Sequence, residues 1–188
     1  ANMASTLDIT SGGRLELGIG AGWNEEECDA FGIELGSMRQ RFDRFEEGLA
    51  VLESLLTNER TSFRGDYYVL TDAMNNPKPI QRPLPICIGG RGKRRTIPLA
   101  ARYATHWNFG GQDMAEFAEC REVLRESCAA IGRDPAEITC SALASYTSDD
   151  ELRTTVDAMT AADVDLVIVG IPKAEPPSVI ERVARALA

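Results

Sequence analysis

The chain has 188 residues, 44% of them hydrophobic and 26% charged, and a net charge of −9. This is the balance of a globular domain long enough to bury a sizeable core, and the negative charge argues against nucleic acid or an anionic membrane as its main partner. No apolar run reaches the roughly 18 residues of a membrane span. The N-terminus reads as helix and not as a signal peptide. The five cysteines are odd in number and lack C-x-x-C spacing, as expected of reduced thiols in a cytoplasmic protein. Cys87 and Cys140 fall in apolar strands and are expected in the core. His106 is the sole histidine, which excludes most zinc sites and the Ser-His-Asp triad.

Ala1 to Ile9 predicts a helix, stopped by Ser11-Gly12-Gly13. Arg14 to Gly18 predicts a strand, with Leu15, Leu17 and Ile19 on one face. It runs into Gly20-Ala21-Gly22-Trp23. The dinucleotide pattern G-x-G-x-x-G fails here, because Trp23 stands where its last glycine belongs. Two readings of these glycines stand: close packing at a strand end, or a flat ring lying against bare backbone with Trp23 nearby. Asn24 caps a short helix with Glu25, Glu26 and Glu27 in its first turn. Ser37 opens a long helix whose apolar face is Met38, Phe42, Phe45, Leu49, Leu52 and Leu56, with Arg39 and Asp43 paired on another face.

Residues 62 to 69 predict a hairpin, covered by Tyr67 and Tyr68. Four prolines between Asn75 and Pro85 predict an extended excursion. A strand from Leu84 to Ile88 follows, then Gly89-Gly90-Arg91-Gly92, the cations Lys93, Arg94 and Arg95, and a helix from Ile97 to Ala104. Strand, glycine turn, cations and helix start together suit an anionic group: backbone can approach closely, and a helix N-terminus favours negative charge. A solvated turn before a basic helix start is the plainer reading.

The next strand carries His106, Trp107 and Asn108. Trp107 is expected in the core or a pocket wall. Asn108 suits a ligand contact or a loop cap equally. His106 is expected to face the opposite side, toward helices or solvent, and is not assigned as a base. Asp113 with Glu116 resembles a capping box. Met114, Phe117, Leu124, Cys128 and Ile131 mark the buried face of the helix that ends at Gly132. A strand from Ile138 to Leu143, a helix from Asp149 to Ala162 with Leu152, Val156 and Met159 inward, a buried strand over 166–169 and a helix from Pro177 to Leu187 complete the chain. Five βα units predict a parallel sheet, with ligands at the C-terminal ends of its strands.

Three stretches carry a resemblance: Thr6-Leu7-Asp8 through Ser11-Gly12-Gly13-Arg14 to Gly20-Ala21-Gly22-Trp23-Asn24-Glu25-Glu26-Glu27; Arg41-Phe42-Asp43-Arg44-Phe45-Glu46-Glu47; and Pro77-Lys78-Pro79, Gln81-Arg82-Pro83, Ile88 to Gly92, Arg95-Thr96, Leu99 to Ala104 and Trp107-Asn108. In this order they resemble the luciferase-like monooxygenase superfamily, and within it the coenzyme F-420-dependent oxidoreductases. One departure is visible: Thr105-His106 replaces the Asp-Gly of the usual Ala-Asp-Gly-Trp-Asn.

The resemblance implies an α/β fold of the TIM (β/α)8 type, and a family barrel has about 250–300 residues. Five βα units imply a single domain, residues 1–188, forming the C-terminal part of an incomplete barrel whose first three strands are missing. Two open strand edges would then give low stability or self-association, so a homo-oligomer is expected. Gly89, Gly90, Arg91, Gly92 and Thr96 match the family's cofactor phosphate region. With Gly20, Ala21, Gly22, Trp23 and Asn108 they are the candidate cofactor residues. The cations suit the phosphodiester and glutamyl tail of coenzyme F-420, with FMN as the alternative. The implied activity is hydride transfer between F-420 and an organic small molecule. The rival readings are an FMN-dependent monooxygenase using reduced flavin and oxygen, and a non-catalytic fragment or assembly module. No catalytic residue and no metal ligand is assigned.

Overall fold

The computed structural model describes residues 1–173 and 175–187. They form two compact units, one from Ala1 to Ile88 and one from Gly89 onward.

The first unit opens with α1 (Asn2–Ser11), closed by Gly12 in the left-handed conformation at φ +70°. β1 (Leu17–Ile19) follows and pairs in parallel with β4 (Ile86–Gly89), Leu17 opposite Ile86 and Ile19 opposite Ile88. β1 is shorter than the predicted Arg14–Gly18 strand. The Leu15 carbonyl accepts from the Gln81 side-chain amide at 2.7 Å, where a longer ladder would have continued. α2 (Glu25–Ala30) is capped by the Asn24 side chain, which accepts from Glu27 N. α3 (Met38–Thr57) begins in a full capping box between Ser37 and Gln40. Leu49 and Leu56 of its predicted face are buried, but Met38 is 60% exposed, one turn before the core begins. Arg39 and Asp43 do pair, at 3.6 Å, on an exposed face where such a pair contributes little.

β2 (Thr61–Arg64) and β3 (Val69–Ala73) form the predicted hairpin. One side chain of α3 holds its turn: the Glu47 carboxylate accepts backbone N–H bonds from Asp66 (2.9 Å), Tyr67 (2.9 Å) and Tyr68 (3.2 Å). A second carboxylate ties the proline-rich excursion to α1. Asp8 accepts from Ile80 N (2.7 Å), Gln81 N (3.0 Å) and Gln81 Nε2 (2.7 Å).

Burial raises both carboxyl pKa values, but these donors outweigh it and hold Asp8 and Glu47 below the usual carboxylate range. A lowered native pKa contributes stability that is complete above the ordinary value and lost as pH falls through the native one. The first unit is therefore expected to lose stability below about pH 4. Urea midpoints measured from pH 7 to pH 2.5 should fall in that window. They should fall less in Asp8→Asn, which starts lower at pH 7.

The second unit contains α4 (Thr96–Tyr103), β5 (His106–Phe109), α5 (Met114–Ala130), a 3-10 turn (Pro135–Glu137), β6 (Thr139–Ser145), α6 (Asp149–Ala161), β7 (Leu166–Gly170) and α7 (Val179–Ala186). β5, β6 and β7 pair in parallel, with Trp107 opposite Cys140 and Leu143 opposite Ile168. Ile97, Trp107, Phe109, Phe117, Leu124, Leu152 and Met159 are among its fully buried side chains. Asp113 caps α5 through Ala115 N, so the expected capping box does not form; Glu116 reaches Arg91 instead.

Other expectations of burial fail as well. Ile131 is 54% exposed because α5 ends at Ala130, one residue before it. β7 is not buried on both faces: Leu166 and Ile168 are exposed and share an open apolar face with Leu143 of β6, which the register sets on the same side. All five cysteines are free. Burial pushes the Cys140 thiol up to about 11. Cys87, half-buried and not in the core, also reaches about 11, through burial and then the Glu16 charge. No helix among the described residues is long and apolar enough to cross a membrane.

Candidate functional site: a glycine cradle and a cleft

In the second unit, the candidate residues after β4 converge on the start of α4. Gly90 has φ +119°, a conformation that favours glycine, and a Cβ there would stand 3.2 Å from Thr96 Cγ2. A Cβ on Gly92 would stand 2.7 Å from Thr96 Oγ1. The turn is thus closed on Thr96 and has no room for side chains.

The helix start offers fewer donors than its sequence suggests. Ile97 N already donates to Gly92 O at 3.1 Å, and Pro98 has no N–H. Thr96 N–H remains. Neither it nor Thr96 Oγ1 has a protein partner among the described residues.

The charge is also partly neutralised. Arg91 pairs with Glu116 at 2.8 Å and Lys93 with Glu119 at 2.6 Å, both acids from the first turns of α5. The Glu119 hydrogen bond holds the Lys93 pKa above its usual value. Arg94 is exposed and has no ion pair among the described residues. Periodicity placed Glu116 and Glu119 on a helix but could not show which cations they meet.

β5 secures this turn. Gly90 N donates to Asn108 O at 2.9 Å, and Trp107 Nε1 donates to Gly90 O at 2.7 Å. Trp107 is fully buried, its ring stacked on Phe117 with centroids 5.6 Å apart. Since Trp107 takes the helix face, His106 and Asn108 share the other one. The expectation that His106 faces helices or solvent is therefore wrong: it is buried, with Nε2 2.6 Å from Ser141 Oγ. Asn108 Nδ2 donates to the same oxygen at 2.8 Å. Ser141 was not singled out in the sequence; a hydroxyl between the apolar Cys140 and Ala142 was its signal.

The remaining candidates belong to the first unit. Gly20, Ala21 and Gly22 line a cleft of about 440 Å³ whose far wall is α3. Trp23 is 81% exposed and does not line it. Gly22, at φ +83°, turns the chain into α2, and its carbonyl accepts from Arg41 Nη1 at 3.1 Å.

Parallel βα units with a glycine turn closed on a helix start define an α/β protein. The sequence signature of the luciferase-like monooxygenase family matches residues 1–172, and the chain belongs to that family. An uncharacterised protein of Mycobacterium tuberculosis is 31% identical over 134 residues, 71% of this chain and 46% of its own length. The FMNH(2)-dependent dimethylsulfone monooxygenase of Pseudomonas putida is 31% identical over 70% of this chain and 36% of its own. An F-420-dependent glucose-6-phosphate dehydrogenase of Amycolatopsis mediterranei is 34% identical over 55% and 29%. The chain thus spans less than half the length of these curated relatives. Among solved structures, an F-420-dependent secondary alcohol dehydrogenase superposes with a TM-score of 0.86 at 17% identity, over 100% of this chain and 74% of that one. The coenzyme F-420-dependent tetrahydromethanopterin reductase of Methanopyrus kandleri gives 0.77 at 15%, over 98% and 74%. The α/β fold is the one these proteins share.

Proposed function

We propose that the chain is the C-terminal, phosphate-holding portion of a deazaflavin-dependent oxidoreductase that exchanges hydride between coenzyme F-420 and an organic small molecule. The cradle of Gly90, Gly92 and Thr96 carries this reading. It combines bare backbone, an N–H and a hydroxyl without protein partners, and an exposed cation, Arg94. Gly89, Gly90, Gly92 and Thr96 would hold a phosphate, and Arg91 and Arg94 its surrounding charge. The bound deazaflavin would supply the hydride chemistry, and these residues would bind and orient it. On the same reading, the open β7 face carrying Leu166 and Ile168 meets the rest of a barrel or a second copy.

A second reading, an FMN-dependent monooxygenase, is favoured by the pairing of Arg91 and Lys93 with acids, which leaves less charge for a polyanionic tail.

Titration with F-420 and with FMN, followed by cofactor fluorescence at low and high salt, separates the two. Preferential, salt-weakened binding of F-420 is the expected result, with the affinity falling about tenfold in Arg94→Gln at low salt. Preferential FMN binding would overturn the deazaflavin reading. Binding of neither cofactor by the folded chain would overturn the placement of the phosphate here.

A further inference from the structure

We propose that the cleft of the first unit is a binding site for an organic anion with an aliphatic body, separate from the cradle and independent of the cofactor assignment. Its volume, about 440 Å³, lies in the range of small-molecule sites. Leu35, Phe45 and Leu52 give it apolar walls, which suit an aliphatic chain.

The charge at the cleft is unusual for this chain. The protein carries a net −9, yet two arginines line the cleft, Arg41 and Arg44, one turn apart on α3. Neither has a carboxylate partner among the described residues. Arg44 rests over the Tyr67 ring at 5.4 Å, and Arg41 is tied to the Gly22 carbonyl. Arg41 Nε is buried with no hydrogen-bond partner, an arrangement that proteins rarely leave standing. Glu34 is the one carboxylate among the lining residues, so two cations face one acid. A carboxylate, sulfonate or phosphate head would complete that pairing.

Gly48 is the second, independent observation. It sits inside the 20-residue α3, where glycine is the poorest helix former after proline. Packing does not demand it: a Cβ there would meet Tyr68 Oη at 3.5 Å, an ordinary contact. Alanine would fit and would make a better helix. What the missing side chain leaves open is the cleft, which Gly48 lines. A local propensity sacrificed without a packing reason marks a site kept open for something else. Tyr68, whose ring lies beside Gly48, is held in place by the bond from its N–H to Glu47.

Cys28 lines the cleft and is half-buried, so it can report on occupancy. Cys120, Cys128 and Cys140 are buried, and burial raises their thiol pKa values along with that of Cys87, so all four alkylate slowly. The experiment is alkylation of the chain by iodoacetamide, read at Cys28 by mass spectrometry, with octanoate or octan-1-ol added and no cofactor present. Octanoate is expected to slow Cys28 labelling at least fivefold at saturation, and octan-1-ol at equal concentration much less. Gly48→Leu should abolish the protection in a chain that keeps its helix content by circular dichroism. Arg44→Gln, at an exposed position, should weaken octanoate about tenfold and leave octan-1-ol unchanged.

Absence of protection by octanoate would overturn the proposal. So would equal protection by the alcohol, which would make the cleft a plain apolar groove. Full protection in a folded Gly48→Leu chain would overturn it as well. If F-420 shields Cys28 and competes with octanoate, the cleft belongs to the cofactor, and the claim of a separate site fails.

Discussion

Replacing Trp107 by alanine is expected to destabilise the second unit by about 4–6 kcal/mol, a large share of a domain's usual stability. The ring is fully buried, stacked on Phe117 at 5.6 Å and edge-on to Phe109 at 6.0 Å. Removing it costs about 3–5 kcal/mol through lost transfer energy and a cavity that a three-aromatic cluster fills poorly. The indole also donates to Gly90 O at 2.7 Å. Losing that donor leaves the carbonyl unpaired beside the cradle, for about 1 kcal/mol more. Trp107→Phe separates the two effects: it keeps most of the ring and drops the hydrogen bond, so it should cost about 1–2 kcal/mol. Urea denaturation of the three proteins measures this. An alanine variant within about 2 kcal/mol of the parent would mean that the aromatic cluster does not hold the unit together.

Gly90→Val is expected to cost about 2–4 kcal/mol and to weaken anion binding at the cradle at least tenfold. Valine is branched at the carbon that would stand 3.2 Å from Thr96 Cγ2, and φ +119° is strained for any residue with a Cβ. The backbone has little freedom to relax, because Gly90 N is bonded to Asn108 O and Gly90 O to Trp107 Nε1. Strain would therefore pass to Thr96, the residue that offers the free N–H and hydroxyl. Inorganic phosphate or F-420 titration, with circular dichroism to verify folding, reads both effects. A folded Gly90→Val chain that binds as well as the parent would exclude the turn as an anion site. Gly12 is the control: it also has positive φ, but a Cβ there meets nothing within 4 Å, so Gly12→Ala should cost stability and leave binding unchanged.

The elements were largely legible. Asn24, Ser37 and Asp113 all act as caps, because capping is a local matter of one side chain reaching an N–H two or three residues on. The five strands of the βα units appear in order, since short apolar runs between helices have few alternatives. Strand extents were less accurate: β1 lost its first three predicted residues to a side chain, Gln81, more than sixty residues away. The cradle was legible as glycines before a helix, but its charge was misjudged. The sequence shows four cations in five residues; it does not show that Glu116 and Glu119 on α5 meet two of them.

The facing of β5 marks the same boundary. Alternation along a strand establishes that His106 and Trp107 point apart, whichever way the strand is turned. Only packing decides which side is which, and the indole, the larger apolar group, takes the place among Phe109 and Phe117. His106 then meets Ser141, a residue 35 positions on. The sequence by itself determined what depends on near neighbours: caps, periodicity, glycine turns and the family signature they compose. The tertiary structure alone decided which charges cancel, which faces stay open and which polar groups share a hydrogen bond. Those outcomes depend on distances between residues far apart in the chain, and a linear pattern does not contain them.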